Sequence, residues 1–344
     1  MIQATLRRGA IVAAGLAALC LIPWPGHGQS TAPDEAKAKA EGPLVFYTSN
    51  RTTIAEKHAK GFEQKYGIKV QIFRSGSEKV IAKLEAEALA GRIQADVLNV
   101  SDPGYFFAAQ GKGTLLPYAS KHAATIPDAF RDKDGHWAAV RLTAMTIAYN
   151  TKLVPAADAP KRWADLTDPR WQGKLTIASP SYGGTSLNWA AGILKLYGWK
   201  FFEDLAKQKP LLTEGHLPGM QLVASGERPV SAEMNDYDAR AGIAKGQPIA
   251  VVLPEEGTFV IPTPIAILKA TARPNAAKLF LDYMLSDEAQ AVFVEDHTYS
   301  ARTDVKPPKG ALPLKDLKVI PMDWAAVEKQ SEEIKTKFVS IVGK

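Results

Sequence analysis

Cysteine is almost missing from this chain. One occurs among 344 residues, Cys20, and it lies in a segment that the sequence marks for removal. No disulfide framework and no thiol nucleophile can be assigned to the folded body. Histidine is thin as well. His58, His122, His136, His216 and His297 stand singly, no two at a metal-ligand spacing, which predicts surface or capping roles for them. No serine sits in a nucleophile elbow, and no glycine-rich P-loop carries a lysine. No dense basic run with interleaved aromatics points to nucleic acid. These gaps leave little catalytic machinery to assign, so the positive features decide the reading.

The first feature is an address label. Arg7 and Arg8 form a positive start, Gly9 to Ile22 is an uncharged alanine- and leucine-rich run, and Pro23 and Pro25 break any helix. Gly26-His-Gly28 offers small residues where a signal peptidase reads, so residues 1 to 28 are expected to be cleaved. The apolar run is too short to span a bilayer comfortably. Leu19 before Cys20 fits a lipoprotein motif poorly, and the surroundings of Arg7-Arg8 fit a twin-arginine signal poorly. Removing Arg7 and Arg8 from the 42 basic residues leaves 40 against 36 acidic ones, a spread-out net of +4. Residues 29 to 43, polar and alanine-rich, read as a flexible tether.

Strand–helix alternation follows. Leu44 to Tyr47, Ile68 to Phe73 and Asp96 to Val100 read as strands, separated by helices over Ile54 to Tyr66 and Val80 to Leu89. Ile54, Ala55, His58, Ala59 and Phe62 make one helical stripe. Ser75 and Glu78 stand at capping-box spacing. Such alternation predicts a mostly parallel sheet that binds ligands beyond the strand carboxyl ends. Val140 to Asn150 and Pro262 to Lys269 are long extended runs, read as crossovers between two lobes. The expected division is lobe one over residues 44 to 142 and 263 to 344, and lobe two over residues 143 to 262, with a hinge between them.

The stretch from Leu175 to Leu196 carries the best local site signal. A β-branched strand runs into Ser181-Tyr182-Gly183-Gly184-Thr185-Ser186, and an apolar helix follows. Glycines allow close approach, Thr185 or Ser186 can cap, and the free N–H groups of a helix start can hold an anion. No lysine or arginine lies in that turn, so the helix terminus must supply the favourable field. Asn235-Asp236-Tyr237-Asp238, after a second strand, can bind a cation or donate to an anion.

Several segments together resemble the extracellular solute-binding proteins of bacterial ABC importers. They are Leu44-Val-Phe-Tyr47, Phe62 to Val70, Ala95-Asp-Val97, Ile147-Ala-Tyr-Asn150, Trp163-Ala-Asp-Leu166 and Asp168 to Lys174. Val251 to Gly257, Pro274 to Asp282 and Leu285 to Gln290 complete the pattern, which runs in order over nearly the whole chain and is most similar to the ferric-ion-binding branch. The resemblance implies an α/β, type II periplasmic binding fold of two discontinuous lobes closing at a hinge. It also implies a periplasmic location, a small-molecule ligand, a membrane permease as partner, a monomer, no cofactor and no enzymatic activity.

The ligand residues depart from that branch. Thr48-Ser49-Asn50 lacks its histidine, Ser101 stands at its glutamate, Tyr237 is the one tyrosine left of a pair, and Thr143-Ala144-Met145 replaces an arginine-bearing motif. A hard trivalent cation wants several anionic oxygens, and this set offers few. The expected ligand is therefore an organic anion such as a phosphonate, a phosphorylated compound or a carboxylate. Lobe one should contribute Ser49, Asn50, Ser75, Ser77 and Asp102, and lobe two Thr143, Ser181, Tyr182, Gly183, Gly184, Thr185, Asn235, Tyr237 and Asp238. Asp102 with Asp236 or Asp238 would be free to pair a cationic end, as in an aminoalkyl phosphonate. Two alternatives stay open: a ferric carrier in which Tyr237 ionises and binds the metal, and a secreted enzyme using Tyr237 with Asp238 or Glu255. Intact-mass measurement on native protein should find a chain starting at Gln29; a mass that retains Arg7-Arg8, or lipid on Cys20, overturns the cleaved-signal reading.

Overall fold

A computed structural model of the chain describes residues 32 to 343 together with Met1. Apart from Met1, the segment expected to be cleaved lies outside the described residues. After α1 (Glu35–Ala40) the chain alternates β1 (Leu44–Thr48), α2 (Thr52–Tyr66), β2 (Val70–Arg74), α3 (Ser77–Leu89), β3 (Val97–Asn99), α4 (Pro103–Gly111) and β4 (Leu115–Leu116). The long β5 (Ala138–Asn150) leads to β6 (Leu175–Ala178), α5 (Gly184–Tyr197), α6 (Trp199–Ala206), β7 (Leu211–Thr213) and α7 (His216–Ser225). Then come β8 (Val230–Asn235), α8 (Asp236–Ala244), β9 (Ile249–Val252) and β10 (Val260–Leu268). The chain closes with α9 (Pro274–Met284), α10 (Asp287–Glu295), β11 (Tyr299–Ser300) and α11 (Trp324–Val342).

Helix α2 shows how the sequence builds these pieces. Ile54, Ala55, His58, Ala59 and Phe62 all face inward, and Gly67 ends the helix at φ 71, a left-handed value that glycine adopts without strain. The strand order is β2-β1-β3-β10-β5-β8-β6-β7. Strands β1, β2 and β3 run parallel, as do β6, β7 and β8, while β5 and β10 are antiparallel to their neighbours. At about 3.4 Å per residue, the 13 residues of β5 are too long for one lobe. All of them are buried. Up to Ala144 the strand pairs with Val260 of β10; from Met145 it pairs with Asn235 of β8. The chain crosses between lobes at that step.

Each lobe has its own aromatic core. Phe46, Phe62, Phe280 and Phe293 lie in the first, and Trp163, Trp189, Phe202 and Phe259 in the second. Helix α11, grouped by sequence with lobe one, sends Trp324, Val327, Ile334 and Phe338 into the second core.

Two local expectations need correction. The segment expected as a tether is docked from Asp34 onward: Asp34 caps α1, and Ala38 is fully buried in the first core. The Glu41 carboxylate accepts the Asn275 and Ala276 N–H groups at 3.2 and 2.8 Å and so caps α9. A six-residue polar helix has no periodicity to read, and a cap supplied from 234 positions away leaves no local signal. His58 is the second correction. It is buried, sets its Nε2 3.0 Å from the Ala289 carbonyl and packs on Phe293; burial pushes its pKa down to about 4.

Gly192 of α5 faces the Phe259 ring, where an added Cβ would sit 2.3 Å from a ring carbon. That ring stacks on Trp163 and cannot withdraw easily. Gly192→Val should cost about 1–3 kcal/mol by overpacking, with no helix-propensity gain large enough to offset it. Thermal unfolding should show a fall of several degrees; an unchanged midpoint would mean that α5 does not press on the ring.

Candidate functional site

Between the lobes lies a cavity of about 320 Å³ at the carboxyl ends of the strands. The N-cap residues of five helices line it: Arg51 before α2, Gly76 before α3, Gly183 before α5, Gly215 before α7 and Asn235 before α8. None of these five makes a side-chain cap bond. Elsewhere Asp34, Asp102, Ser286 and Asp323 cap α1, α4, α10 and α11 in the ordinary way. The sequence expectations of a Ser75–Glu78 capping box and a Thr185 or Ser186 cap therefore fail. Helix starts around the cavity keep their N–H groups and their positive dipole ends open to it.

Arg141, at the lobe-one end of β5, is the strongest charge in this setting. It is 5% exposed. Its Nε donates to Asn50 Oδ1 at 2.9 Å, one terminal nitrogen to Thr143 Oγ1 at 3.1 Å and the other to Ser101 Oγ at 3.0 Å. All three acceptors are neutral, and no carboxylate pairs with Arg141 among the described residues. Behind them, Asn50 Nδ2 donates to Asn99 Oδ1, Asn99 Nδ2 to the Pro264 carbonyl, and Ser101 shares a 3.0 Å hydrogen bond with Thr263. The guanidinium is thus fixed and buried, with Asp296 nearby but no carboxylate in ion-pair contact, and with part of its donor fork unused.

Tyr237 lies beside it, the Arg141 and Arg51 guanidinium carbons 5.3 and 4.7 Å from its ring centre. Asn235 Nδ2 donates to the phenol oxygen at 2.9 Å, which leaves the phenol proton free to donate. Burial, reinforced by Asp238, pushes the Tyr237 pKa up to about 12 despite the two arginines. Arg51 joins the lobes: it pairs with Asp238 of α8 and with Asp296, each at 3.1 Å. Arg74 also lines the cavity and holds the Asn50 carbonyl through its Nε at 2.9 Å. On the far wall His216 pairs with buried Glu233, which offsets the cost of burial and raises its pKa. That is not the surface or capping role its isolation predicted.

Glycines let the lobes meet. A Cβ on Gly184 would sit 2.2 Å from the Ser101 carbonyl oxygen, and one on Gly76 2.5 Å from that of Tyr182. Gly183 has no such neighbour.

Of the residues expected at the site, Ser49, Ser77, Tyr182, Gly183, Gly184, Thr185, Asn235, Tyr237 and Asp238 line the cavity. Asn50 and Thr143 do not; they position Arg141 instead. The Ser75 N–H donates to the Thr48 carbonyl at 3.3 Å and the Ser181 N–H to Ser179 Oγ at 3.3 Å, and neither serine lines the cavity. Asp102 caps α4 through the Tyr105 N–H. Asp236 pairs with Arg240 and accepts the Ala144 N–H, and Asp238 holds Arg51. None of these three carboxylates is free for a cationic ligand end. Glu255 is not among the residues lining the cavity. Sequence reasoning missed Arg51, Arg74, Arg141, Glu214 and His216. A lone arginine in the otherwise uncharged run Ala138 to Asn150 was the signal available for Arg141.

Residues 93 to 330 match the family model for bacterial extracellular solute-binding proteins. The chain belongs to that family. It is a periplasmic solute-binding protein, and its relatives are binding proteins of transport systems. An uncharacterised protein of Haemophilus influenzae is 33% identical over 74% of this chain and 75% of its own length. Iron uptake protein A1 of Synechocystis is 26% identical over 78% and 79% of the two chains. The periplasmic binding protein AfuA of Actinobacillus pleuropneumoniae, solved with exogenous fructose-6-phosphate, superposes with a TM-score of 0.80. It is 29% identical and covers 88% of this chain and 99% of its own.

Burial and the carboxylates of Glu78 and Glu328 push Asp102 of this solute-binding protein up to about 7. A carboxyl raised above its unfolded value near 4 contributes stability that is complete below that value and is lost as pH climbs through about 7. Asp102→Asn keeps a capping side chain and removes the titration. The variant should be more stable than the parent at pH 8 by at least about 1 kcal/mol, with the difference shrinking toward pH 4. Denaturant unfolding across that range measures it; a pH-independent difference would rule out Asp102 as the source.

Proposed function

We propose that this protein captures a small phosphorylated or phosphonate-type organic anion in its cleft and delivers it to the membrane permease of an ABC importer. The carrying observation is Arg141, a buried guanidinium held by neutral acceptors with no carboxylate in ion-pair contact. A buried cation without a direct ion-pair partner is costly, and an anionic ligand supplies that partner in the bidentate geometry that guanidinium favours. The open helix starts and the Tyr237 hydroxyl add donors around the same point. Both lobes contribute, so an anion bound there favours the closed form through contacts that the open form lacks. A cavity of about 320 Å³ equals the liquid volume of roughly ten waters, well beyond a bare ion. AfuA's bound fructose-6-phosphate agrees with this class of ligand.

Iron uptake by another relative raises the ferric alternative. Two guanidinium groups against Tyr237, and a phenol pKa raised to about 12, oppose a ferric–phenolate bond there. Asp238 and Tyr237 are also poorly placed as an acid–base pair, because Arg51 already holds the carboxylate. Both features support a carrier that returns its ligand unchanged.

Calorimetry with fructose 6-phosphate, 2-aminoethylphosphonate, inorganic phosphate, a dicarboxylate and ferric salt tests the proposal. At least one organic phosphate or phosphonate should bind in chelator-treated buffer, and Arg141→Gln should weaken it by roughly 100-fold or more, with melting showing the variant folded. Stabilisation by ferric salt alone, with a new visible absorption band, would overturn the anion reading.

A further inference from the structure

Resting on that reading, we infer that Glu214 reads the end of the ligand opposite its anionic group, accepting hydrogen bonds from a hydroxylated or ammonium-bearing tail. Glu214 lines the cavity and is exposed to it, and it makes no ion pair or hydrogen bond through its carboxylate among the described residues. The other carboxylates near the cavity are spent. Asp238 holds Arg51, Asp236 holds Arg240, and Glu233 takes His216 and the Ala178 N–H.

The turn that presents Glu214 is built rather than loose. Thr213 accepts the Ser179 N–H at 3.0 Å through its carbonyl and donates its hydroxyl to the Gly215 carbonyl at 2.9 Å. Gly215 sits at φ 151, a conformation that residues with a Cβ rarely adopt. Glu214 is thereby fixed between an edge strand and the start of α7.

Its distance from the anion anchor follows from the sheet. Arg141 is on β5 and Glu214 follows β7, and the order β5-β8-β6-β7 sets them three strand spacings apart across the sheet, roughly 14 Å of lateral separation, with Arg141 further offset into the part of β5 that pairs with β10. The cavity is therefore polarised. Arg141 and Arg51 gather around the Tyr237 ring, Arg74 ends the lobe-one edge strand β2, and the unpaired acceptor follows the lobe-two edge strand β7. A bare phosphate at Arg141 cannot touch Glu214, whereas a ligand with hydrogen-bond donors several atoms from its phosphorus can. A site built to accept a donor discriminates against analogues that lack it.

The test compares wild-type protein with Glu214→Gln and Glu214→Leu by calorimetry, using fructose 6-phosphate, 2-aminoethylphosphonate and inorganic phosphate as probes. Glu214 is exposed and carries no core contact, and melting curves confirm the fold of both variants. Glu214→Leu should weaken the better-bound tailed probe by about tenfold and leave inorganic phosphate within about twofold. Glu214→Gln separates the tails: an amide still accepts from hydroxyls, so the sugar phosphate should keep most of its affinity, while the ammonium probe should lose as much as with leucine. Unchanged affinity of tailed probes in Glu214→Leu overturns the inference and leaves the anion site standing. Equal losses for tailed and bare probes overturn it too, since they show a general field effect. Failure of every probe to bind wild-type protein overturns the anion site and this inference together.

Discussion

One buried guanidinium on a shared strand ties this molecule together. Arg141 lies at the lobe-one end of β5, a few residues before the step where the strand leaves β10 and takes up β8. Its donors reach Asn50 after β1, Ser101 after β3 and Thr143 of its own strand. Two loops that the fold brings to one sheet end are therefore held to β5 by the same planar cation. Asn99 and Thr263 hold the acceptors in turn, so the orientation of Arg141 is fixed from behind before any ligand arrives. Losing the cation would leave buried amide and hydroxyl groups without their partner, at a cost comparable to the hydrogen bonds themselves.

Around that anchor, the fold withholds ordinary satisfaction from its helix ends. Helices α4, α10 and α11 are capped by their own Asp or Ser side chains, and α9 borrows Glu41. The five that open on the cleft have no such cap, and three of their N-cap positions are glycine. Glycine at an N-cap costs only a few tenths of a kcal/mol relative to a capping side chain, so the arrangement is cheap in stability. It also removes the side chains that would otherwise fill the meeting surface. The same economy at Gly184 and Gly76 lets one lobe's backbone rest on the other's.

Much of this was legible in the linear chain, for identifiable reasons. The alternation of β-branched runs with amphipathic stripes announced the α/β lobes, and the two long extended runs announced the crossovers. The glycine turn before α5 and the Asn235–Asp238 segment announced two walls of the cleft. What stayed hidden depends on long-range pairing. Arg141 and Thr143 share one short stretch of β5, yet their joint role appears only when Asn50 and Ser101 are brought beside them. Asp238 looked available because its partner, Arg51, lies far away in the chain, whereas the Asp236–Arg240 pair is local, four residues apart on α8, and its spacing was there to be read. His216 looked like a surface residue because Glu233, its partner, lies 17 positions away. The short α1 was hidden for a different cause: it is held by the cap it provides to α9, not by any stripe of its own.

The Arg51–Asp238 pair has a kinetic consequence. It spans the two lobes, so parting them takes from Arg51 one of its two carboxylates, Asp238, and leaves it Asp296. The open mouth then shows an approaching solute a more strongly positive lobe-one wall than the shut cleft does. Attraction is greatest before capture and is spent once the lobes have closed. Encounter with an anionic solute should thus be steered, and quickest at low ionic strength, while retention depends on the buried contacts alone. Fast loading and an unhurried grip can then be set by different residues within a single cleft.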